Sequence, residues 1–168
     1  MNNIKFWQKI HRFQEKGGWC GPAVVQMVLA SCGIKRTQAK IAKDIYKPWW
    51  GSNQQMLLAY LSRYFKVVNY KINSKTTDIS FHLKKGHILV VNWWDDLDVS
   101  PDGHYSLVID YIKKTKELVL ADPSRSRKGI WKIKAKEFSS KWWDTLDIHG
   151  RTWVDGWLLW VDPASKID

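Results

Sequence analysis

The chain has 168 residues, of which 45% are hydrophobic and 26% charged, as expected for one soluble globular domain with a sizeable core. No window is apolar enough to cross a membrane and no N-terminal run resembles a signal peptide, so we expect a cytoplasmic protein unless a leader has been removed. The net charge of +11 is compatible with an anionic partner, but no nucleic-acid-binding motif accompanies it. We therefore expect a solvated basic surface and no nucleic acid partner.

The first half of the chain predicts helices. Apolar residues recur there at helical spacing; Thr37 precedes one of the runs as a suitable N-cap, and Ser52 or Asn53 can cap another. The predicted segments are an N-terminal arm or helix over residues 1–13, a buried helix between Cys20 and Gly33, and helices over 38–45 and 54–65.

The second half of the chain changes to strands. Apolar runs rich in Val, Ile, Leu and Trp are separated there by glycine, lysine-rich and Asp-Pro turns. The predicted strands cover 66–72, 87–93, 104–112, 117–121, 130–134 and 153–161, with short helices over 77–85 and 135–143. Helices followed by mostly antiparallel strands are typical of an α+β fold. Nothing suggests a repeat or a linker, so residues 1–168 are expected to form a single domain.

Cys20 begins the predicted buried helix, directly after two glycines and Trp19. The helix dipole favours an anion at that end and therefore stabilises a thiolate there. Most free cysteines are simply small apolar side chains, and Cys32, at the far end of the same helix, fits that role. Because twelve helical residues would separate the two cysteines by about 18 Å, no disulfide is expected between them.

A nucleophilic cysteine needs a base within hydrogen-bond reach and a third group that orients the base. His104 opens one apolar strand and Asp122 directly follows the next, so a rigid sheet can hold both side chains. The other histidines lack this context; they are His11, His82, His87 and His149. None of them shares a metal-ligand spacing with a cysteine, and we expect neither a metal nor a cofactor.

The segment Asp95–Gly103 is an acidic cluster in a basic chain, with four carboxylates in nine residues. Its spacing does not match the twelve-residue calcium loop of helix–loop–helix proteins, which favours a solvated loop. Because the segment directly precedes His104, we also expect it to border the cleft and to favour a basic substrate.

Twelve tryptophans are an unusual number, and six of them form the pairs Trp49-Trp50, Trp93-Trp94 and Trp142-Trp143. Neighbouring residues of a strand point to opposite faces, so one ring of a pair should be less buried than the other. Most of the rings are expected to pack in the core, and some to line a groove or a partner surface.

Four motifs occur in a fixed order along the chain. They are Gln14, Cys20-Gly-Pro-Ala23 six residues later, Gly103-His104-Tyr105 and Asp122-Pro123. With them, most of the chain resembles the bacteriocin-processing cysteine peptidases of the double-glycine leader type, and is most similar to their stand-alone peptidase-like domains. The resemblance implies a papain-like α+β fold.

The same resemblance implies a role for each motif. Cys20 would attack an amide carbonyl with His104 as its general base. Asp122 would orient His104, and Gln14 would donate to the oxyanion. The exporter-linked members usually carry an acidic residue directly before the cysteine, where this chain has Trp19, and they continue into a membrane transporter.

The sequence therefore predicts a cysteine peptidase or amide hydrolase that cleaves a peptide or isopeptide bond in a peptide or protein substrate. Two alternatives use the same fold: an acyl transferase, in which an amine replaces water at the same triad, and a non-catalytic peptide- or glycan-binding module. A basic nucleic-acid- or membrane-associated protein is a third alternative, which a steep salt dependence of binding would distinguish.

Overall fold

The computed structural model describes residues 4–97, 102–145 and 152–167. Within these ranges the helices are α1 (Ile4–Ile10), α2 (Cys20–Ser31), α3 (Gln38–Ile45), α4 (Gln54–Leu61), α5 (Thr76–Lys84) and α6 (Ala135–Lys141). The strands are β1 (Val68–Lys71), β2 (Ile88–Asp95), β3 (Asp102–Ile112), β4 (Glu117–Ala121), β5 (Ile130–Lys134), β6 (Trp143–Thr145), β7 (Trp153–Asp155) and β8 (Leu158–Val161).

Six of the strands form one antiparallel sheet in the order β1-β8-β2-β3-β4-β5, while β6 and β7 pair separately. In the centre of the large sheet Trp93 of β2 lies opposite His104 of β3. β4 pairs with β3 and ends at Ala121, so Asp122 follows on the strand next to His104. The register thus brings two candidate site residues from distant parts of the sequence to neighbouring strands.

Helices cover the large sheet on both faces. One face packs against α2, α3 and α4 in a core that includes Val24, Val28, Leu57, Val90, Leu107 and Leu159. The opposite face packs against α5 and α6 around Ile79, Leu89, Val91, Trp93 and Phe138. Successive residues of β2 point alternately into the two cores, as strand geometry requires when both faces of a sheet are covered. The result is the mixed helical and antiparallel α+β arrangement that the sequence predicts.

The helix α2 forms because its sequence is apolar on most sides, and eight of its twelve residues are buried. Gly33, with φ of 76°, follows its C-terminus in the left-handed conformation that glycine adopts without strain. The next two helices begin at the predicted caps: Thr37 accepts from the backbone N–H of Lys40 at 3.3 Å, and Asn53 accepts from that of Met56 at 2.9 Å. The first residue of α2, Cys20, is therefore carried by a fixed core element.

Three boundary predictions are wrong. The fourth helix ends at Leu61 rather than at residue 65, and β6 was not predicted. The expected strand over 153–161 is two strands in different sheets, because the chain turns at Gly156 with φ of 58°. A side chain at this glycine would lie 2.5 Å from the backbone nitrogen of Ser74, so the turn requires glycine.

The tryptophan pair on β2 behaves as predicted from strand alternation. Trp93 is fully buried while Trp94 is half-buried and stacks on Trp143, with ring centroids 4.8 Å apart. Trp49, in contrast, is 74% exposed, and its neighbour Trp50 lies in the cleft described below. Among the described residues no helix combines the length and the hydropathy that a membrane span requires.

Candidate active site

Cys20 lies at the first position of α2, where the backbone turns sharply into the helix. Gly18 makes this turn with φ of 74°, and a side chain there would meet the Tyr46 ring at 3.2 Å. Trp19 is buried against the same ring, with centroids 6.1 Å apart, and its carbonyl accepts the N–H of Ala23 at 3.0 Å. The Cys20 side chain is only half-buried, so the thiol stands at the helix N-terminus with access to the cleft.

His104 links Cys20 to Asp122. Its Nε2 lies 2.9 Å from Oδ1 of Asp122, and the ring lines the same hollow as Cys20, near enough for the thiol to affect the pKa of the ring. Because Nε2 is engaged by the carboxylate, Nδ1 is the nitrogen left for the thiol. Burial of the ring disfavours its charged form, but the charge and hydrogen bond of the Asp122 carboxylate, with a contribution from the nearby Cys20, outweigh burial and raise the pKa of His104 well above its usual range. The imidazole is therefore protonated at neutral pH and faces Cys20 as a cation.

Asp122 is completely buried, and several donors besides His104 stabilise its carboxylate. Oδ1 accepts the backbone N–H of Ser124 at 2.8 Å, and Oδ2 accepts from Ser106 and Trp131, both at 3.2 Å. Burial favours the protonated carboxyl, yet the charge and hydrogen bond of His104 and the charge of Arg127 lower the pKa of Asp122 well below its usual range. Asp122 is therefore ionised and fixed in place.

Arg127 is a site residue that the sequence did not indicate. The basic residues of the chain are expected on a solvated surface, but the Arg127 side chain is only 10% exposed. It ion-pairs with Asp122 at 3.3 Å and with Asp95, and its guanidinium lies over the rings of Trp93 and Trp131. Only the pairing of β4 with β5 brings Trp131 to this position, so a local sequence pattern could not reveal it.

Gln14 reaches the site on the segment that follows α1. Its backbone N–H donates to the Pro123 carbonyl at 2.8 Å, and its own carbonyl accepts from Arg125 Nε at 2.9 Å. The side-chain Nε2 donates to the Lys16 carbonyl at 3.2 Å. The structure thus brings Gln14 beside Cys20 and His104, on a segment tied to the residues after β4.

Cys20 lies between two connected hollows that share Gly18, Cys20, Asp102 and Gly103. The first, here called the glutamine hollow, has a volume of about 250 Å³ and is lined by Gln14, His104, Asp95 and Ser124 besides the shared residues. The second, here called the aspartate hollow, has a volume of about 100 Å³ and is lined by Trp50, Ser52, Asp144 and Thr145 among others. A chain laid across Cys20 would occupy both.

A buried amide network supports the strand that carries His104. Gln54 donates to Asn92 at 2.7 Å, and Asn92 donates to the His104 carbonyl at 3.2 Å and to Asp144 at 2.8 Å. Burial raises the pKa of Asp144 to about 6, with the neighbouring charge of Asp102 adding to the increase and the hydrogen bonds opposing it. Gln54, Asn92 and Asp144 were not predicted as site residues, because they meet only through the fold.

The other histidines have different positions. His11 hydrogen-bonds through Nε2 to the Asp122 carbonyl at 2.7 Å, and His82 and His87 contact each other at 2.8 Å through their Nδ1 atoms. His149 lies outside the described residues, as do residues 98–101 of the acidic segment. Within the described ranges no group of three or more His, Cys, Asp or Glu side chains is arranged to hold a metal ion.

A family model described as the Peptidase_C39 like family matches residues 3–147. The chain belongs to this family. A search of curated protein sequences finds no match. The resemblance inferred from the motifs at Gln14, Cys20, His104 and Asp122 is thereby confirmed at the level of the family.

Solved structures share the fold of this Peptidase_C39 like chain. The peptidase domain of Streptococcus ComA, a bifunctional ABC transporter, is 15% identical with a TM-score of 0.67, covering 90% of this chain and 96% of that one. A C39-like peptidase from Bacillus anthracis is 13% identical with a TM-score of 0.61, over 90% and 94% of the two chains. A double glycine motif protease from an AMS/PCAT transporter, solved with a leader peptide, is 18% identical with a TM-score of 0.57, over 89% and 88%. These similarities confirm the papain-like α+β fold.

Proposed function

We propose that the protein is a cysteine peptidase that cleaves a peptide or isopeptide bond through Cys20, His104 and Asp122. The observation that carries the proposal is the position of His104, which lines the same hollow as Cys20 and hydrogen-bonds to a buried, ionised Asp122. A nucleophile, a base and an orienting group held close together are what acyl transfer to a thiol requires. Family membership supports the same reaction class.

In the first half of the reaction, the Cys20 thiolate attacks the amide carbonyl and the carbonyl oxygen becomes an oxyanion. Gln14 and the backbone N–H of Cys20 donate to this oxyanion; loss of one such donor costs other hydrolases roughly 10²–10³-fold in kcat. His104 holds its proton on the side facing Cys20 and transfers it to the leaving amine, which breaks the C–N bond and leaves a thioester.

In the second half, neutral His104 takes a proton from water, and the resulting hydroxide attacks the thioester. The acyl group leaves as a carboxylic acid and the thiolate and imidazolium are restored. Asp122 keeps the ring oriented throughout, because its carboxylate is held by the backbone of Ser124 as well as by His104. A peptide substrate is supported by the leader peptide bound to the similar double glycine motif protease.

The decisive test is the pH dependence of Cys20 alkylation by iodoacetamide. The protein carries Cys32→Ala, so that Cys20 is the thiol that reacts, and is compared with the same protein bearing His104→Ala. An ordinary thiol has a pKa of about 8.5 and is labelled slowly below that pH. We expect Cys20 to be labelled rapidly well below about pH 8.5, and the rapid labelling to be lost in His104→Ala. Labelling that follows an ordinary thiol in both proteins would refute the proposal and favour a binding module on this fold.

A further inference from the structure

Asp144 is a half-buried carboxylate that the proposed reaction does not use. Its Oδ1 accepts the backbone N–H of Thr145 at 2.7 Å, and its Oδ2 accepts from Asn92 at 2.8 Å. Both donors are neutral, so they orient the carboxylate without neutralising its charge. Among the described residues no lysine, arginine or histidine nitrogen lies within 4.0 Å of it.

Other carboxylates around the cleft do have cationic partners. Asp95 pairs with Arg127, and Asp96 pairs with Lys141. Asp122 pairs with both His104 and Arg127. Asp144 differs from all three, although a carboxylate partly removed from water gains more from a cation than a fully exposed one does.

A second carboxylate lines the same hollow. Asp102 lies close enough for its charge to raise the pKa of Asp144, and its carboxylate likewise forms no ion pair within the described residues. A positively charged group with several N–H donors would satisfy both carboxylates at once.

The charge of the rest of the chain makes this hollow distinctive. The net charge is +11, and the larger surface depressions, of about 400 and 880 Å³, are lined by several lysines or arginines. The aspartate hollow instead presents two carboxylates next to Cys20. The two carboxylates would attract a cationic group of the substrate, and the basic surface around the cleft would repel it. Together these charges favour binding of the cation in the aspartate hollow.

We propose that the aspartate hollow is a specificity subsite for a lysine or arginine side chain of the substrate, located next to the bond that is cleaved, with Asp144 as the residue that selects it. The inference rests on the proposed peptidase activity for the position of the scissile bond, but binding of the cation requires no catalysis. A site whose half-buried carboxylate is left without a cation by a neutral substrate discriminates against that substrate. Because the pKa of Asp144 is raised to about 6, the preference for a cation should weaken as the pH falls below this value.

The first experiment measures binding without turnover. Fluorescent peptides carry one arginine scanned through an uncharged sequence, and matched peptides carry citrulline, which is neutral and nearly isosteric, at the same position. With the Cys20→Ala protein we expect Kd to be roughly tenfold lower for arginine than for citrulline at one register of the scan. Equal Kd values at every position would overturn the proposal.

Two variants test which carboxylate is responsible. Adding Asp144→Asn to Cys20→Ala should reduce the arginine-to-citrulline ratio to about one. Asp155→Asn removes a carboxylate from an exposed position on the neighbouring strand β7 and should leave the ratio as it is. A ratio that survives Asp144→Asn would overturn the assignment to Asp144.

The second experiment measures kcat/KM of the wild-type protein on the same peptides and separates the two proposals. A charge preference in binding without any cleavage would leave the subsite standing and refute the peptidase. Cleavage at equal kcat/KM for arginine and citrulline peptides would support the peptidase and refute the subsite.

Discussion

Nε2 of His11 lies 2.7 Å from the backbone carbonyl oxygen of Asp122, the residue whose carboxylate holds His104. The His11 ring also covers Gly129, where a side chain would come within 2.7 Å of it. The N-terminal segment is therefore tied to the backbone of Asp122, directly after the end of β4. Asp122 thus connects the N-terminal arm, the sheet and the proposed triad.

The contact predicts that His11→Ala will loosen the arm. The variant leaves the part-buried Asp122 carbonyl without its donor, and we expect the free energy of unfolding to fall by about 1–2 kcal/mol. Hydrogen exchange at the Gln14 amide, which donates to the Pro123 carbonyl, should become faster. Arg12→Ala is the control, because Arg12 is exposed and contacts only nearby backbone carbonyls. Unchanged exchange at Gln14 in His11→Ala would contradict the prediction.

Asp122→Asn should shift the pH dependence of Cys20 reactivity. The Asp122 carboxylate raises the pKa of His104, so its removal lowers that pKa and depletes the imidazolium at neutral pH. In a Cys32→Ala background we expect the rate of iodoacetamide labelling at about pH 6 to fall by roughly tenfold. Asp44→Asn is the control, since it removes an exposed carboxylate that pairs only with Arg63. Equal rates for the parent and Asp122→Asn at low pH would count against the role of Asp122.

Gly103→Ala should destabilise the protein through Asp144. A methyl group at residue 103 would lie 2.1 Å from Oδ2 of Asp144, which must then leave its position over the strand. Overpacking of this kind costs about 1–3 kcal/mol, and urea denaturation measures it. In Asp144→Ala the same glycine substitution should cost clearly less, because the obstructing carboxylate is gone. If the losses in free energy of unfolding of Gly103→Ala and Asp144→Ala simply add in the double variant, the strain does not arise from Asp144.

The contact between His82 and His87 predicts loss of stability in acid. Their Nδ1 atoms are 2.8 Å apart, so one must donate and the other accept, and His82 also stacks on Trp160 at 4.1 Å. Burial lowers the pKa of both histidines; the Asp78 carboxylate opposes this for His82 and the Asp162 carboxylate for His87, while Lys85 adds to it.

The sign follows from the lowered pKa values. At pH values above about 6.5, the pKa of a histidine in the unfolded chain, both histidines are neutral in the folded and the unfolded protein, and their contact is intact. As the pH falls below about 6.5, the unfolded protein binds protons before the folded protein does. The free energy of unfolding therefore decreases as the pH approaches the lower pKa values of the folded protein. We expect the loss of Tm between about pH 7.5 and 5 to be smaller in His82→Gln than in wild type. An equal loss in both proteins would refute the assignment.

Much of the candidate site follows from local sequence patterns. Cys20 could be predicted because a helix start after two glycines, followed by an apolar run, is visible within one stretch of chain. His104 and Asp122 each stand at the edge of a recognisable strand. Their convergence depends only on the pairing of two consecutive strands, which is the commonest arrangement of neighbours in a sheet.

The remaining site residues could not be predicted in this way. Arg127 belongs to a run of basic residues that normally indicates solvent exposure, yet its guanidinium lies over Trp93 of β2 and Trp131 of β5. Asp144 lies on a three-residue strand that has little pattern of its own. Each of them contacts a residue of β2 that is distant in sequence, Trp93 for Arg127 and Asn92 for Asp144, so only the register and packing of the sheet reveal these contacts.

The position of Gln14 has a practical consequence for anyone who trims this protein for expression. None of the residues of α1 is buried, and a boundary chosen from the hydrophobic core alone would fall just before Trp19. Such a shortened chain would retain every strand, the helix of Cys20 and both of its partners, and would give the spectrum of a folded protein. It would nevertheless lack the side chain proposed to stabilise the oxyanion, so a well-behaved truncation could be mistaken for a naturally inactive enzyme.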